Sequence, residues 1–400
     1  MNVFLLNMTS RPTPEYGQIA RHLRLLGHIV WVAALDDDGN LLWDSGDSHV
    51  KKQKGPRRYP RLLPKSRLFN IIGQRLSQLG YIRRLRAMIR EMEPDVVHFN
   101  TSGMRFSCLL TLGLRRNRVF VLDFRQIGDR LLPVNAKIRL RNHIRSLTRG
   151  SAAKYCFDQS VYLHYLGAEK GLGRDWKRWG TVVPMGVDDS FLNVCLGQNG
   201  QAKKKNKVRF IYIGSMVQHR QLDTVFKAIK AVAEKRDDFE VHFLGRDKSE
   251  GYYPKLIKQL EIEHFVTILP LIPYSEVPQR LTEYDAAMAY VPYEPTDWTH
   301  HPTLKILEYR AVGIPIIASD VAPNFDSVEN DQNGILCANT TEDFTSAMLK
   351  FIEDPQYRAR LKENALQMRE GLTWEKAVQM YEDLYIDLLA RKRSNFSRSA

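Results

Sequence analysis

Pro302-Thr303-Leu304-Lys305-Ile306-Leu307-Glu308-Tyr309-Arg310-Ala311-Val312-Gly313-Ile314-Pro315-Ile316-Ile317-Ala318-Ser319-Asp320 reads as one helix running into one buried strand. Proline lacks an amide hydrogen and holds φ near the helical value, so Pro302 suits the first turn. Glycine accepts the left-handed cap conformation, so Gly313 ends the helix and Pro315 prevents its continuation. The unbroken apolar run at residues 314–318 then predicts a strand covered on both faces.

The same alternation extends in both directions. Towards the N-terminus, strands are expected at residues 2–6, 29–33, 95–99, 119–123, 154–157 and 181–183, with helices at 15–26, 68–92, 103–114 and 136–147. After residue 206 it restarts, with strands at 208–213, 239–244, 266–269, 286–291, 314–318 and 335–337. Helices there are expected at 222–234, 253–260, 274–281, 304–312, 342–352 and 356–369. Strands alternating with helices predict an α/β fold with parallel sheets. A chain of 400 residues exceeds one domain of ~150, and the two runs of alternation predict two Rossmann-like domains facing across a cleft. Residues 196–207, polar and Gly-containing, read as the linker between a first domain at 1–195 and a second at 208–372.

Composition excludes several classes. With 44% hydrophobic and 26% charged residues, the chain is neither disordered nor collagen-like. It holds no apolar run of the ~18–20 residues that a membrane span needs. Its first residues lack the basic and apolar regions of a signal peptide, so none is expected. Cys108, Cys156, Cys195 and Cys337 form no CxxC pair, which argues against a zinc-finger framework or a disulfide scaffold and for a reduced, cytoplasmic protein.

Charge is unevenly distributed. Residues 1–200 hold 32 Lys+Arg against 16 Asp+Glu, whereas residues 201–400 hold 27 against 29. The excess peaks at 51–90, with 13 basic residues and no acidic one. That stretch opens with Lys51-Lys52-Gln53-Lys54, read as unstructured, and continues into an amphipathic helix whose polar positions include Arg75, Arg83, Arg84 and Arg86. A basic amphipathic helix suits an anionic membrane surface, such as the inner face of a membrane on which the protein is peripheral. The plain alternative is a solvated surface helix. Binding of nucleic acid is not expected, because no recognition motif or aromatic stacking pattern accompanies the charge.

Two stretches carry candidate chemistry. Phe210-Ile211-Tyr212-Ile213-Gly214-Ser215 is a buried strand ending in glycine, which lets the backbone approach a phosphate. Arg220 follows, just before a helix near Leu222-Asp223, where a cation beside free amides suits a diphosphate. In the opening stretch, Lys305 and Glu308 share a helix face. The plain reading is a surface ion pair; the functional one places Lys305 on phosphate and Glu308 on ribose hydroxyls, to which a carboxylate offers acceptors. Asp36-Asp37-Asp38 precedes Gly39-Asn40 and reads as a turn, and His300-His301 lack a placed third ligand, so no metal requirement is expected.

These motifs resemble the retaining, GT-B-fold, family 4-like glycosyltransferases that include bacterial polysaccharide and lipopolysaccharide enzymes. The resemblance rests on Tyr212-Ile213-Gly214-Ser215-Met216, His219-Arg220-Gln221-Leu222-Asp223 and residues 305–319. It also rests on Pro184-Met185-Gly186-Val187-Asp188, Asn333-Gly334-Ile335-Leu336 and Thr373-Trp374-Glu375. Leu25-Leu26-Gly27-His28-Ile29-Val30 and Pro94-Asp95-Val96-Val97-His98 are looser matches. The resemblance implies a nucleoside-diphosphate sugar as co-substrate, no other cofactor, and transfer to a saccharide or lipid-linked saccharide acceptor. It implies donor contacts from Gly214, Ser215, Arg220, Gly245, His300, Thr303, Leu304, Lys305 and Glu308, with Arg220, Lys305, Glu308 and Arg125 as the catalytic set. It implies an acceptor or phosphate loop at Tyr16-Gly17 and a helix at 373–390 crossing back to the first domain; residues 391–400 read as a basic polar tail. The sequence departs from the family at His300, where relatives carry the first glutamate of a Glu-x7-Glu pair, at Ser215, where they carry arginine, and at Arg125, where some carry histidine. The departures at Ser215 and His300 keep open a catalytically silent scaffold of the same fold, and the basic stretch at 51–90 keeps open a polyanion binder. An epimerase or phosphorylase is a further rival, but no lysine environment suited to pyridoxal is evident.

Overall fold

The computed structural model describes residues 1–7, 14–35, 41–44, 51–53, 67–100, 108–115, 117–124, 156–194, 207–293, 303–369 and 373–397. The chain forms two compact units, Met1–Met185 with Trp374–Ala400, and Gly186–Thr373.

The first unit is built on eight strands: β1 (Asn2–Asn7), β2 (Ile29–Leu35), β3 (Leu41–Asp44), β4 (Lys51–Gln53), β5 (Val96–Asn100), β6 (Val119–Phe124), β7 (Gln159–Tyr162) and β8 (Gly180–Val182). They lie in the order β4-β3-β2-β1-β5-β6-β7-β8. Pairing is parallel from β2 to β8, and β3 and β4 add an antiparallel edge. Successive side chains on a strand point to opposite faces, so the apolar strands feed two cores. Val3, Leu5, Val96, Val119 and Val121 pack with helices Pro14–Leu25 and Trp374–Ser397. Phe4, Leu6, Val97, Phe99, Phe120 and Leu122 pack instead with helix Arg67–Met92, through Tyr81, Ile82, Leu85 and Ile89. Polar ties add to the last helix: His28 Nε2 lies 2.6 Å from Glu382, and Lys392 donates to Asp158 at 3.0 Å.

The second unit holds a six-stranded parallel sheet of β9 (Val208–Ile213), β10 (Phe239–Leu244), β11 (Val266–Leu269), β12 (Ala286–Ala289), β13 (Ile316–Ser319) and β14 (Gly334–Cys337). Its order β11-β10-β9-β12-β13-β14 is the doubly wound order, in which the order of strand addition reverses between the first and fourth strands. Helices Asp223–Ala233, Tyr252–Gln259, Thr341–Glu353 and Pro355–Gln367 cover one face through Val225, Ile229, Tyr253, Phe344, Phe351 and Leu361.

Several expectations need correction. The expected strand at 154–157 begins later, at Gln159, because Asp158 turns its carboxylate to the Phe120 amide at 2.8 Å and to Arg115 at 2.8 Å before the chain enters the sheet. Lys51-Lys52-Gln53 is not unstructured but forms the edge strand β4, paired antiparallel with β3. The helix expected at 274–281 splits into a 3-10 turn, Tyr274–Glu276, and a helix, Val277–Leu281, because Pro278 donates no amide hydrogen. Helix Asp189–Leu192 falls in the second unit, not in a first domain ending at 195. The supposed tail at 391–400 is helical as far as Ser397, where Arg391 pairs with Asp387 one turn back. The expected helix at 136–147 and Asp36-Asp37-Asp38 lie outside the described residues, as does nearly all of the 196–207 linker.

Candidate active site

In an open α/β sheet, ligands sit at the carboxyl ends of the strands where the order reverses. In the second unit that point lies between β9 and β12. Their pairing runs from Ala286↔Phe210 to Met288↔Tyr212. Beyond it the Ile213 amide donates to the Tyr309 hydroxyl at 2.8 Å, so a side chain from helix Leu304–Val312 takes over from the sheet ladder. Burial raises the pKa of the Tyr309 hydroxyl well above its ordinary value, which keeps it a neutral hydrogen-bonding group.

Glycine is required on both sides of the opening. Gly214, at the end of β9, has φ +145°, and an added Cβ would lie 3.1 Å from Lys305 Nζ. Gly245, after β10, would place a Cβ 2.3 Å from the Gly214 carbonyl oxygen, closer than any real contact. The two backbones approach closely because neither residue has a side chain.

Helix Leu304–Val312 faces this opening with its N-terminus. Gly313 caps its other end at φ +79°, with its amide 3.0 Å from the Tyr309 carbonyl, as the sequence predicts. At the start, Thr303 has extended backbone but its side chain does not cap the helix, and its buried Oγ1 has no hydrogen-bond partner. Lys305 is 8% exposed; its Nζ has no hydrogen-bond partner and lies 3.9 Å from the centroid of the Tyr212 ring. Arg220, at the end of the 3-10 turn Gln218–Arg220, brings Nη1 within 3.5 Å of the Tyr212 hydroxyl. Tyr212 therefore spaces two cations. Burial raises the pKa of its hydroxyl, but Lys305 and Arg220 outweigh burial and leave it lowered. Burial depresses the Lys305 amine.

Glu308 is 6% exposed and accepts the Tyr274 hydroxyl at 2.8 Å. Burial raises the pKa of its carboxyl, partly offset by the Tyr274 hydrogen bond and Lys305. No ion pair joins Lys305 and Glu308 among the described residues, and both are buried, so the surface-pair reading fails. Tyr274 is held in turn against the Phe191 ring, 5.4 Å between centroids. The site thus combines an uncapped helix start and two cations with a buried carboxylate one turn along. Chemically it is a seat for an anion next to an acceptor for hydroxyl groups.

The family model described as Glycosyl transferases group 1 matches residues 198–368. An uncharacterized glycosyltransferase of Haemophilus influenzae is 23% identical over 307 residues, which cover 76% of this chain and 79% of the relative. The protein is a GT-B-fold glycosyltransferase. The fold of this glycosyltransferase matches the sucrose-phosphate synthase of Thermosynechococcus elongatus with a TM-score of 0.74 and 16% identity, covering 97% of this chain and 99% of that one. It matches Anabaena HepE, solved in complex with UDP, with a TM-score of 0.69 and 13% identity, covering 97% and 100%.

The glycosyltransferase brings together Gly214, Ser215, Arg220, Gly245, Thr303, Leu304, Lys305 and Glu308 in its second unit. His300 and Arg125 lie outside the described residues. Tyr16 and Gly17 are not in a loop: the helix already begins at Pro14, Tyr16 is buried with its hydroxyl donating to Asp123 at 3.3 Å, and Gly17 is exposed on the helix. Of the basic-surface residues, Arg83 is exposed and Arg84 half-buried, and Arg75 lies in helix Arg67–Met92. Arg86 is not simply a surface cation, because it donates to the Leu109 and Leu110 carbonyls at 2.7 and 3.3 Å. Sequence reasoning missed Tyr212, Tyr274 and Tyr309 as site residues. Tyr212 and Gly214 share a strand face by period 2, which was a usable signal; Tyr274 had none.

Proposed function

We propose that the second unit binds a nucleoside-diphosphate sugar and that the enzyme transfers the sugar, with retention and in the family 4-like manner, to a saccharide or lipid-linked saccharide. The observation that carries the reading is the helix start at Thr303-Leu304-Lys305: a buried hydroxyl without a hydrogen-bond partner and a buried amine set against the Tyr212 ring, one turn from a buried carboxylate. An unpaired buried polar group costs free energy until a ligand satisfies it. A diphosphate supplies oxygens for Lys305 Nζ, Thr303 Oγ1, the first helix amides and Arg220, and a ribose supplies two hydroxyls for Glu308. The same donors oppose the charge that develops on the leaving diphosphate, so the reaction proceeds without a metal. HepE, with which the fold is shared, was solved with UDP, which supports a nucleotide donor. The basic first unit supports work at the inner face of a membrane, where lipid-linked acceptors reside.

A thermal-shift panel of nucleoside diphosphates and their sugars tests the donor site, because a ligand that binds only the folded state raises its stability. Stabilisation by at least one diphosphate, absent for its nucleoside and lost in Lys305→Ala, is the expected result. Equal stabilisation of both proteins would remove Lys305 from the site. Transfer that stops on chelation of divalent cations would overturn metal independence.

A further inference from the structure

Helix Arg67–Met92 packs against the short helix Cys108–Thr111 in the first unit, and a surface groove of about 290 Å³ opens between them. It is lined by Ile82, Arg83, Arg86, Arg90, Leu109 and Leu112. Three of the six are arginines and none is a carboxylate. Arg83, Arg86 and Arg90 recur at helical spacing, so they share one face. Arg86 is committed to the Leu109 and Leu110 carbonyls, which closes one end of the short helix and fixes the groove wall. Burial, and after it the neighbouring Arg90, depresses its pKa. Arg83 and Arg90 are exposed and make no ion pair among the described residues. Beside them Leu112 is 59% exposed.

From this juxtaposition we infer that the groove is a seat for the phosphate headgroup of an anionic phospholipid, with Arg83 and Arg90 gripping the phosphate and Leu112 at the acyl boundary. The inference deepens the membrane location proposed above and is independent of the donor site. The occupant follows from three features. Its charge complements a site in a stretch of 13 basic and no acidic residues at 51–90. Its size is right, because an open groove of about 290 Å³, at the low end of the ~300–1,000 Å³ of ligand pockets, suits a headgroup with its chains left in the bilayer. Its amphiphilic character matches a lining of guanidinium and aliphatic groups. Nucleic acid fits less well, since the lining offers no aromatic ring for base stacking.

The experiment is sedimentation of the full chain with neutral phosphatidylcholine vesicles and with vesicles containing phosphatidylglycerol. The proteins compared are wild type, Arg83→Ala/Arg90→Ala, and Lys255→Ala/Lys258→Ala, which removes the same charge from the exposed face of helix Tyr252–Gln259 in the second unit. Melting temperature and nucleotide-induced shift confirm folding. Wild type should bind anionic vesicles only. The arginine pair should lose roughly fivefold per residue, about 25-fold together, and the lysine pair should match wild type. If the arginine and lysine pairs weaken binding equally, net charge and not the groove is responsible, and the inference falls. If the arginine pair binds like wild type, the groove assignment falls while the membrane location stands. If wild type binds no vesicle, both fall.

Discussion

Replacing Glu308 by glutamine should move stability and nucleotide affinity in opposite directions. The swap conserves volume at a residue 6% exposed, so packing is retained. What changes is charge and acceptor number. Glutamine keeps one acceptor oxygen, which the Tyr274 hydroxyl engages at 2.8 Å, and replaces the other with an NH2 that only donates. One charge-assisted hydrogen bond to ribose is then lost, worth about 1.5–3 kcal/mol, or roughly 10- to 100-fold in affinity. At a nucleotide concentration ~100 times the wild-type Kd, ligand stabilisation of about 2.7 kcal/mol should fall to between ~0.4 and ~1.4 kcal/mol. Without ligand the variant should melt no lower than wild type, because a buried carboxylate no longer loses its hydration. The pH dependence has a definite sign. The folded pKa of Glu308 is raised by burial above the ordinary value of 4.5. The folded state therefore holds its proton more tightly, and the carboxylate costs stability above the folded pKa and nothing below the unfolded one. Any gain from Glu308→Gln should be present at neutral pH and vanish as pH falls through that window. The assay is differential scanning fluorimetry across pH, repeated with a 2′-deoxy nucleoside diphosphate. Wild type should bind the deoxy ligand more weakly than the ribo form, and the variant should discriminate less. Undiminished discrimination in the variant would refute the ribose contact.

Other outcomes follow from the same geometry. Lys305→Met, which keeps a side chain of similar length, should weaken a nucleoside diphosphate far more than the parent nucleoside, measured by calorimetry, without lowering the melting temperature of the free enzyme, since burial already disfavours the charged amine. Tyr274→Phe removes the hydrogen bond that holds the Glu308 pKa down, so the acid limb of nucleotide binding should move to higher pH; an unmoved limb would count against the contact. Gly245→Ala should cost on the order of 1–3 kcal/mol in chemical denaturation, because its Cβ would meet the Gly214 carbonyl at 2.3 Å. Tyr309→Phe leaves the Ile213 amide without its partner and should cost about 1–3 kcal/mol by the same measurement.

Much of the second unit was legible because local rules and the tertiary structure agree. Gly313 and Pro315 delimit helix and strand by backbone geometry alone, and the helix expected at 304–312 is the one observed. Lys305 and Glu308 were readable as a pair, but their burial was not: helical spacing places residues on one face without saying what covers it. Tyr274 was invisible because its link to Glu308 joins residues 34 apart through a turn that Pro278 breaks from the following helix. In the first unit the polar tract at 51–53 looked unstructured because lysines obscured a strand whose order comes from pairing with β3. The acceptor-loop reading of Tyr16 failed because one aromatic residue in the first turns of a helix has the same local signature whether it faces solvent or core.

The central claim is most directly tested by a crystal structure of the enzyme with the nucleoside diphosphate that stabilises it best. The account predicts phosphate oxygens at Lys305 Nζ and the Leu304 and Lys305 amides, with both ribose hydroxyls turned to Glu308. A nucleotide bound elsewhere, with Glu308 still engaged only by Tyr274, would contradict it.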